Sequence, residues 1–76
     1  MAYAIDLKLI KKLRSNKKLT LQDMADNLGL KSKSDYFKRE NGDTKFKSTE
    51  MPILAKVLGV PITKFFKLKV DKIETK

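Results

Sequence analysis

The sequence predicts an all-α domain of five short helices, and three observations predict it. Apolar residues recur at helical spacing in separate stretches around Ile10, Met24 and Leu54. Gly29, Gly42 and Gly59 each stand directly after such a stretch or its neighbour, where a permissive backbone ends a helix. Between the first two glycines and just ahead of them, residues 19–42 read as two short helices joined by a tight corner.

Taken in order, residues 1–5 are too few to assign and are expected to be mobile. Asp6 is a suitable N-cap for a first helix over residues 7–16, with Leu9, Ile10 and Leu13 as its buried stripe. The second helix begins at Thr20, whose hydroxyl can accept the Asp23 backbone N–H, and Asp23 itself lies in a first turn that favours negative charge. Leu21, Met24, Ala25 and Leu28 then mark one apolar face, and Gly29 closes the helix, with Leu30 dropping into the core. Small Ala25 suits the point where a steeply crossing helix comes close. That third helix is expected over residues 33–40, started by Ser32 with Asp35 three residues on and turned inward at Tyr36.

Glu40-Asn41-Gly42-Asp43 reads as a helix stop and turn. In the following loop Lys45 and Lys47 alternate around Phe46, which is expected to plug the core. A fourth helix begins near Ser48 or Thr49, with Glu50 in its first turn and Pro52 early enough to be tolerated. Met51, Leu54, Ala55, Val57 and Leu58 give it a wide apolar face, and Gly59 ends it. A fifth, short helix over residues 62–66 is expected to close the core with Ile62, Phe65 and Phe66. In the tail, residues 67–76, Leu68 and Val70 alternate with Lys67, Lys69 and Asp71, a weak strand signal. Such a tail either pairs with a second subunit or folds back on its own core.

Composition narrows the chemistry. The chain has 76 residues, 18 Lys plus Arg against 9 acidic residues and a net charge of +9, which suits a polyanionic partner. On composition alone, ribosomal, RNA-binding and membrane-surface roles stay open. The absence of Cys and His excludes disulfides, zinc fingers and imidazole catalysis. No nucleophile–base pair or metal cluster stands out, so no enzymatic activity, cofactor or metal is expected. No apolar run approaches a membrane span and no signal-peptide core opens the chain, so a cytoplasmic location is expected.

The open side of the third helix carries the candidate recognition residues. With Tyr36 inward, Lys31, Ser32, Lys33, Ser34, Phe37 and Lys38 fall on the outer face or leading end. Lysine neutralises phosphate and serine bonds phosphates or base edges, so this end suits a phosphate-lined groove. Lys17 and Lys18, after a helix already bearing Lys8, Lys11, Lys12 and Arg14, are candidate phosphate contacts, as are Lys31, Lys45 and Lys47.

Leu19-Thr20, Met24-Ala25, Leu28-Gly29-Leu30 and Glu40-Asn41-Gly42, followed by Leu54 to Val60 and Phe65-Phe66, resemble the phage-repressor and Cro-type (XRE-type, lambda-repressor-like) helix-turn-helix family over about residues 7–66. The resemblance implies a compact five-helix DNA-binding domain that controls transcription as a homodimer on an operator. It further implies an ion pair between Arg14 and Glu40, and a phosphate contact from Asn41. The family's backbone-binding Gln falls one position later here, at Gln22, and the segment from Gly29 to Glu40 is one residue longer than usual. The base contacts then expected are Ser32, Lys33, Ser34, Phe37 and Lys38. The phosphate contacts expected are Lys17, Lys18, Gln22, Lys31, Asn41, Lys45 and Lys47. No small-molecule ligand is expected, which leaves concentration, operator arrangement or another protein as the means of regulation. A protein-interaction module, such as an antirepressor or antitoxin-like partner reusing this fold, is the alternative.

Overall fold

The computed structural model describes residues 2–69, so the expectations placed on Val70 and beyond lie outside the described residues. In chain order the elements are β1 (Ala2–Ile5), α1 (Leu7–Asn16), α2 (Leu21–Leu28), α3 (Lys33–Asn41), α4 (Glu50–Leu58), a 3-10 turn (Ile62–Phe65) and β2 (Phe66–Lys69).

The helices start and stop on local chemistry. The Asp6 side chain accepts the Leu9 N–H at 3.2 Å to begin α1. Thr20 and Asp23 form a reciprocal capping box at α2, with hydrogen bonds of 3.0 and 2.9 Å. At the far end of α2, Gly29 adopts φ +70°, and the Leu30 N–H turns back to the Ala25 carbonyl at 2.9 Å. That left-handed residue directs the chain into the corner before α3, where most side chains are strained. Ser32 caps α3 by accepting the Asp35 N–H at 3.4 Å.

One apolar cluster joins the helices. Ile10 of α1, Met24, Ala25 and Leu28 of α2, Tyr36 of α3, and Met51, Leu54 and Leu58 of α4 are buried together with Phe46 and Phe65. Ala25 is fully buried at the face where α2 and α3 pack, its single methyl permitting a close approach. Burying side chains of these sizes is worth about 1.5–3 kcal/mol apiece, and the cluster draws on every helix. Among the described residues no helix is long and apolar enough to cross a membrane.

Three expectations are corrected. The architecture is not an all-α set of five helices: among the described residues, four α-helices are joined by one 3-10 turn and a two-stranded antiparallel sheet. Of residues 1–5, expected to be mobile, Ala2–Ile5 form β1, which pairs with β2 in the register Ala2↔Lys69, Tyr3↔Leu68, Ala4↔Lys67 and Ile5↔Phe66. The start of the tail therefore folds back on its own chain. Phe66-Lys67-Leu68-Lys69 alternates apolar with charged residues, β1 is apolar throughout, and the register sets Tyr3 and Ile5 on the same face as Leu68 and Phe66. The Asp6 N–H donates to the Phe65 carbonyl at 2.6 Å and closes the base of the ribbon.

The third correction concerns the fifth helix. It is a 3-10 turn that ends at Phe65, and only Phe65 of its three expected core residues is buried; Ile62 is 37% and Phe66 41% exposed. The chain becomes extended at Phe66, so consecutive side chains point to opposite sides. Phe65 enters the core, and Phe66 lies on the ribbon face of Tyr3 and Leu68, all three exposed, with half-buried Ile5 opposite it packed toward the core.

Candidate nucleic-acid interface

The register of α3 decides which side chains face outward. Tyr36, Arg39 and Glu40, at helical spacing i, i+3 and i+4, are buried. Lys33, Ser34, Phe37, Lys38 and Asn41 consequently share the exposed face, and α3 runs one residue further than expected before Gly42 turns it at φ +93°. Four of the five expected base-contact residues lie on this face. The fifth, Ser32, is half-buried at the N-cap, and its hydroxyl already accepts the Asp35 N–H.

Two ion pairs, whose α3 partners Arg39 and Glu40 are buried, hold that register. Arg14 of α1 donates from Nε and Nη2 to the two carboxylate oxygens of Glu40, at 2.8 and 3.0 Å, a bidentate pair. The Tyr36 hydroxyl donates to the same carboxylate at 2.8 Å. Arg14 Nη1 donates to the Leu19 carbonyl at 3.0 Å, so one guanidinium ties the α1–α2 loop, which carries Lys17 and Lys18, to the end of α3, which carries Asn41. The hydrogen bond to Glu40 raises the Arg14 pKa against the opposing effect of burial. Burial first, and then the bond to Glu40, raise the Tyr36 phenol well above its usual range.

The second pair lies on the other side of the helix. Arg39 Nε donates to Glu50 Oε1 at 2.9 Å, and its Nη1 donates to the Asp35 carbonyl at 3.2 Å. The same Glu50 oxygen accepts the Lys47 backbone N–H at 2.9 Å. Through Glu50 the loop bearing Lys45 and Lys47 is fixed to α3 at the start of α4. Among the described residues no buried side-chain nitrogen or oxygen lacks a hydrogen-bond partner. Such pairs add little net stability over apolar replacements, but removing one partner strands the other.

The remaining expected phosphate contacts are all exposed, in differing surroundings. Lys31 stands in the corner between α2 and α3, and Lys45 and Lys47 flank buried Phe46. Gln22 donates to Asp26 at 2.9 Å and Asn41 to Asp43 at 3.2 Å, so both amides have partners within the chain. Lys17 extends to the C-terminus of α4, where a Cβ on Gly59 would meet its Nζ at 3.5 Å. A cation there complements the negative end of the helix dipole. Lys18 adopts φ +58°, a left-handed conformation in a residue other than glycine.

Arg39 and Glu50 do not stand out as a pair in the sequence. The available signal is positional: Arg39 lies on the same stripe as inward Tyr36 and next to Glu40, so an arginine there needs an internal acid, and Glu50 is the acid at the start of the next helix. Comparison with known proteins adds one match. The family model of the helix-turn-helix domain matches residues 8–70, a span that contains α2 to α4, all of α1 but its first residue, and the whole exposed α3 face. No curated protein matches the chain.

Proposed function

The chain belongs to the helix-turn-helix domain family, and from that premise we propose that it is a sequence-specific double-stranded DNA-binding transcriptional regulator of the phage-repressor and Cro type. One observation carries the reading: Lys33, Ser34, Phe37, Lys38 and Asn41 form a single outward face on a helix anchored from two sides. In this reading α3 enters the major groove. Lys33, Ser34 and Lys38 reach base edges, while Lys18, Lys31, Lys45 and Lys47 hold phosphates beside it. The lysines set affinity, and a chain of net charge +9 is drawn to the duplex over long range. The protein acts by binding, without catalysis or cofactor, in the bacterial cytoplasm.

Pairing of two copies fits the same reading. Tyr3, Phe66 and Leu68 are 72%, 41% and 46% exposed on one face of the ribbon, and none carries charge. On a strongly basic chain this is a surface where a like-charged copy meets least repulsion. Two-fold pairing requires a roughly palindromic operator with half-sites about 34–36 Å apart. Sedimentation equilibrium is expected to show a monomer–dimer equilibrium that Leu68→Glu shifts to monomer.

The deciding experiment is an anisotropy titration against duplex DNA from around the protein's own gene, with scrambled duplex as control, at two salt concentrations. Own-locus DNA is expected to bind about a thousandfold or more tighter, and both affinities to fall as salt rises. Lys33→Ala with Lys38→Ala is expected to abolish the preference. Equal, weak binding to both duplexes would overturn the reading.

A further inference from the structure

Phe37 is the one apolar side chain on the outward face of α3. Phe37 is 49% exposed, whereas Tyr36, one residue earlier, is fully buried. The helix cannot roll to exchange them. Tyr36 is bonded to Glu40 and meets the Phe46 ring edge-on at 6.1 Å, and Arg39 and Glu40 reach to α4 and α1 from either side. The phenyl ring is thus held outside the core by its neighbours, among Lys33, Ser34, Lys38 and Asn41.

The lysines fix the chemistry of whatever covers this ring. A face with Lys33 and Lys38 beside the phenyl complements a polyanion, and an exposed phenyl needs an apolar contact within it. In a major groove the base edges present hydrogen-bond donors and acceptors, and the apolar group that projects among them is the C5-methyl of a pyrimidine. Resting on the duplex-binding reading above, we infer that Phe37 packs on a C5-methyl group, so that affinity for the operator depends on that methyl. Thymine is favoured over uracil at one position of each half-site. Where cytosine occupies that position, methylation at C5 strengthens binding, which makes the site responsive to cytosine methylation of the DNA.

The test begins with selection of the tightest duplex from a random pool by the full chain. Each thymine of that duplex is then replaced in turn by deoxyuridine, which removes only the methyl, and affinity is read by anisotropy. One position per half-site is expected to lose about fourfold, the worth of one buried methyl. Phe37→Ala, at an exposed position that leaves the fold intact by circular dichroism, is expected to bind the thymine and uracil duplexes equally. Lys38→Ala is expected to weaken both while preserving their ratio. At the sensitive position, a cytosine variant is expected to regain affinity when it carries the methyl. Uniform affinity across all uracil replacements, or a thymine preference that persists in Phe37→Ala, would overturn this inference while leaving duplex binding intact. If the selection enriches no duplex, the DNA-binding reading falls and the inference falls with it.

Discussion

Residues 39 and 40 are neighbours on α3 with opposite charges, and they anchor the helix in opposite directions. Glu40 reaches to α1, where it receives both a bidentate guanidinium and a phenol. Arg39 reaches to the start of α4, where a single carboxylate oxygen serves both it and a loop amide. The first arrangement fixes where α1 and its following loop sit; the second fixes the loop that bears Lys45 and Lys47. Together they show how a short polar helix can be held firmly while its whole outer face stays free. Its inward surface offers one large apolar side chain, Tyr36, so charge-assisted bonds supply the rest of the positioning.

The comparison can be broken first at Glu40. Glu40→Ala leaves the partly buried Arg14 guanidinium with only the Leu19 carbonyl and takes the acceptor from the buried Tyr36 phenol, and is expected to cost about 3 kcal/mol or more in a urea titration. Glu50→Ala strands one guanidinium and one amide, and is expected to cost nearer about 3 kcal/mol. The double change Arg39→Met with Glu50→Gln retains an acceptor for the Lys47 N–H and strands no charge. It is expected to stay within about 1 kcal/mol of the parent; a double variant as unstable as the single would show that charge stranding is not the cause.

Alkaline pH separates the two sites again, because only the Glu40 site contains a phenol. Tyr36 ionises at higher pH in the folded chain than in the unfolded one, owing to burial and then to its bond with Glu40. A group raised in this way contributes stability in full below its unfolded pKa of about 10 and loses it as the pH climbs beyond. The urea midpoint is expected to fall more steeply above about pH 10 in the parent than in Tyr36→Phe. The smallest effect is expected at Lys18. Lys18→Gly relieves a left-handed backbone and is expected to raise stability by roughly 1 kcal/mol, while lowering duplex affinity if that ammonium meets a phosphate. Thermal melts and a duplex titration on the same sample read both changes.

Much of the fold was legible because its signals are local. Asp6, Thr20 and Ser32 cap the helices that follow them, and Gly29, Gly42 and Gly59 end the helices before them; each position depends only on its near neighbours. The α3 face was legible for a related reason: Tyr36 turned inward leaves Lys33, Ser34, Phe37 and Lys38 together on the other side. The ribbon was not, since its strands are four residues each and neither has meaning without the other. Ser32 shows a different limit, as one hydroxyl cannot be assigned between capping and recognition from sequence alone. The Arg39–Glu50 pair depends on how α3 meets α4, and the first-turn position of Glu50 was sufficient to explain that residue without a partner.

The ribbon also sets an order of events. Ile5 is made before all four helices and its partner Phe66 after them, so the strand pair cannot form on the ribosome until the helical body has been synthesised. Closing so long a loop carries an entropy cost that only packed helices between the ends can lower. The α1–α4 cluster is therefore expected to assemble first, and Ala2–Ile5 to meet Phe66–Lys69 as the final step. In the finished protein the same two strands, short and joined only to each other, are expected to be the first amides to exchange with solvent.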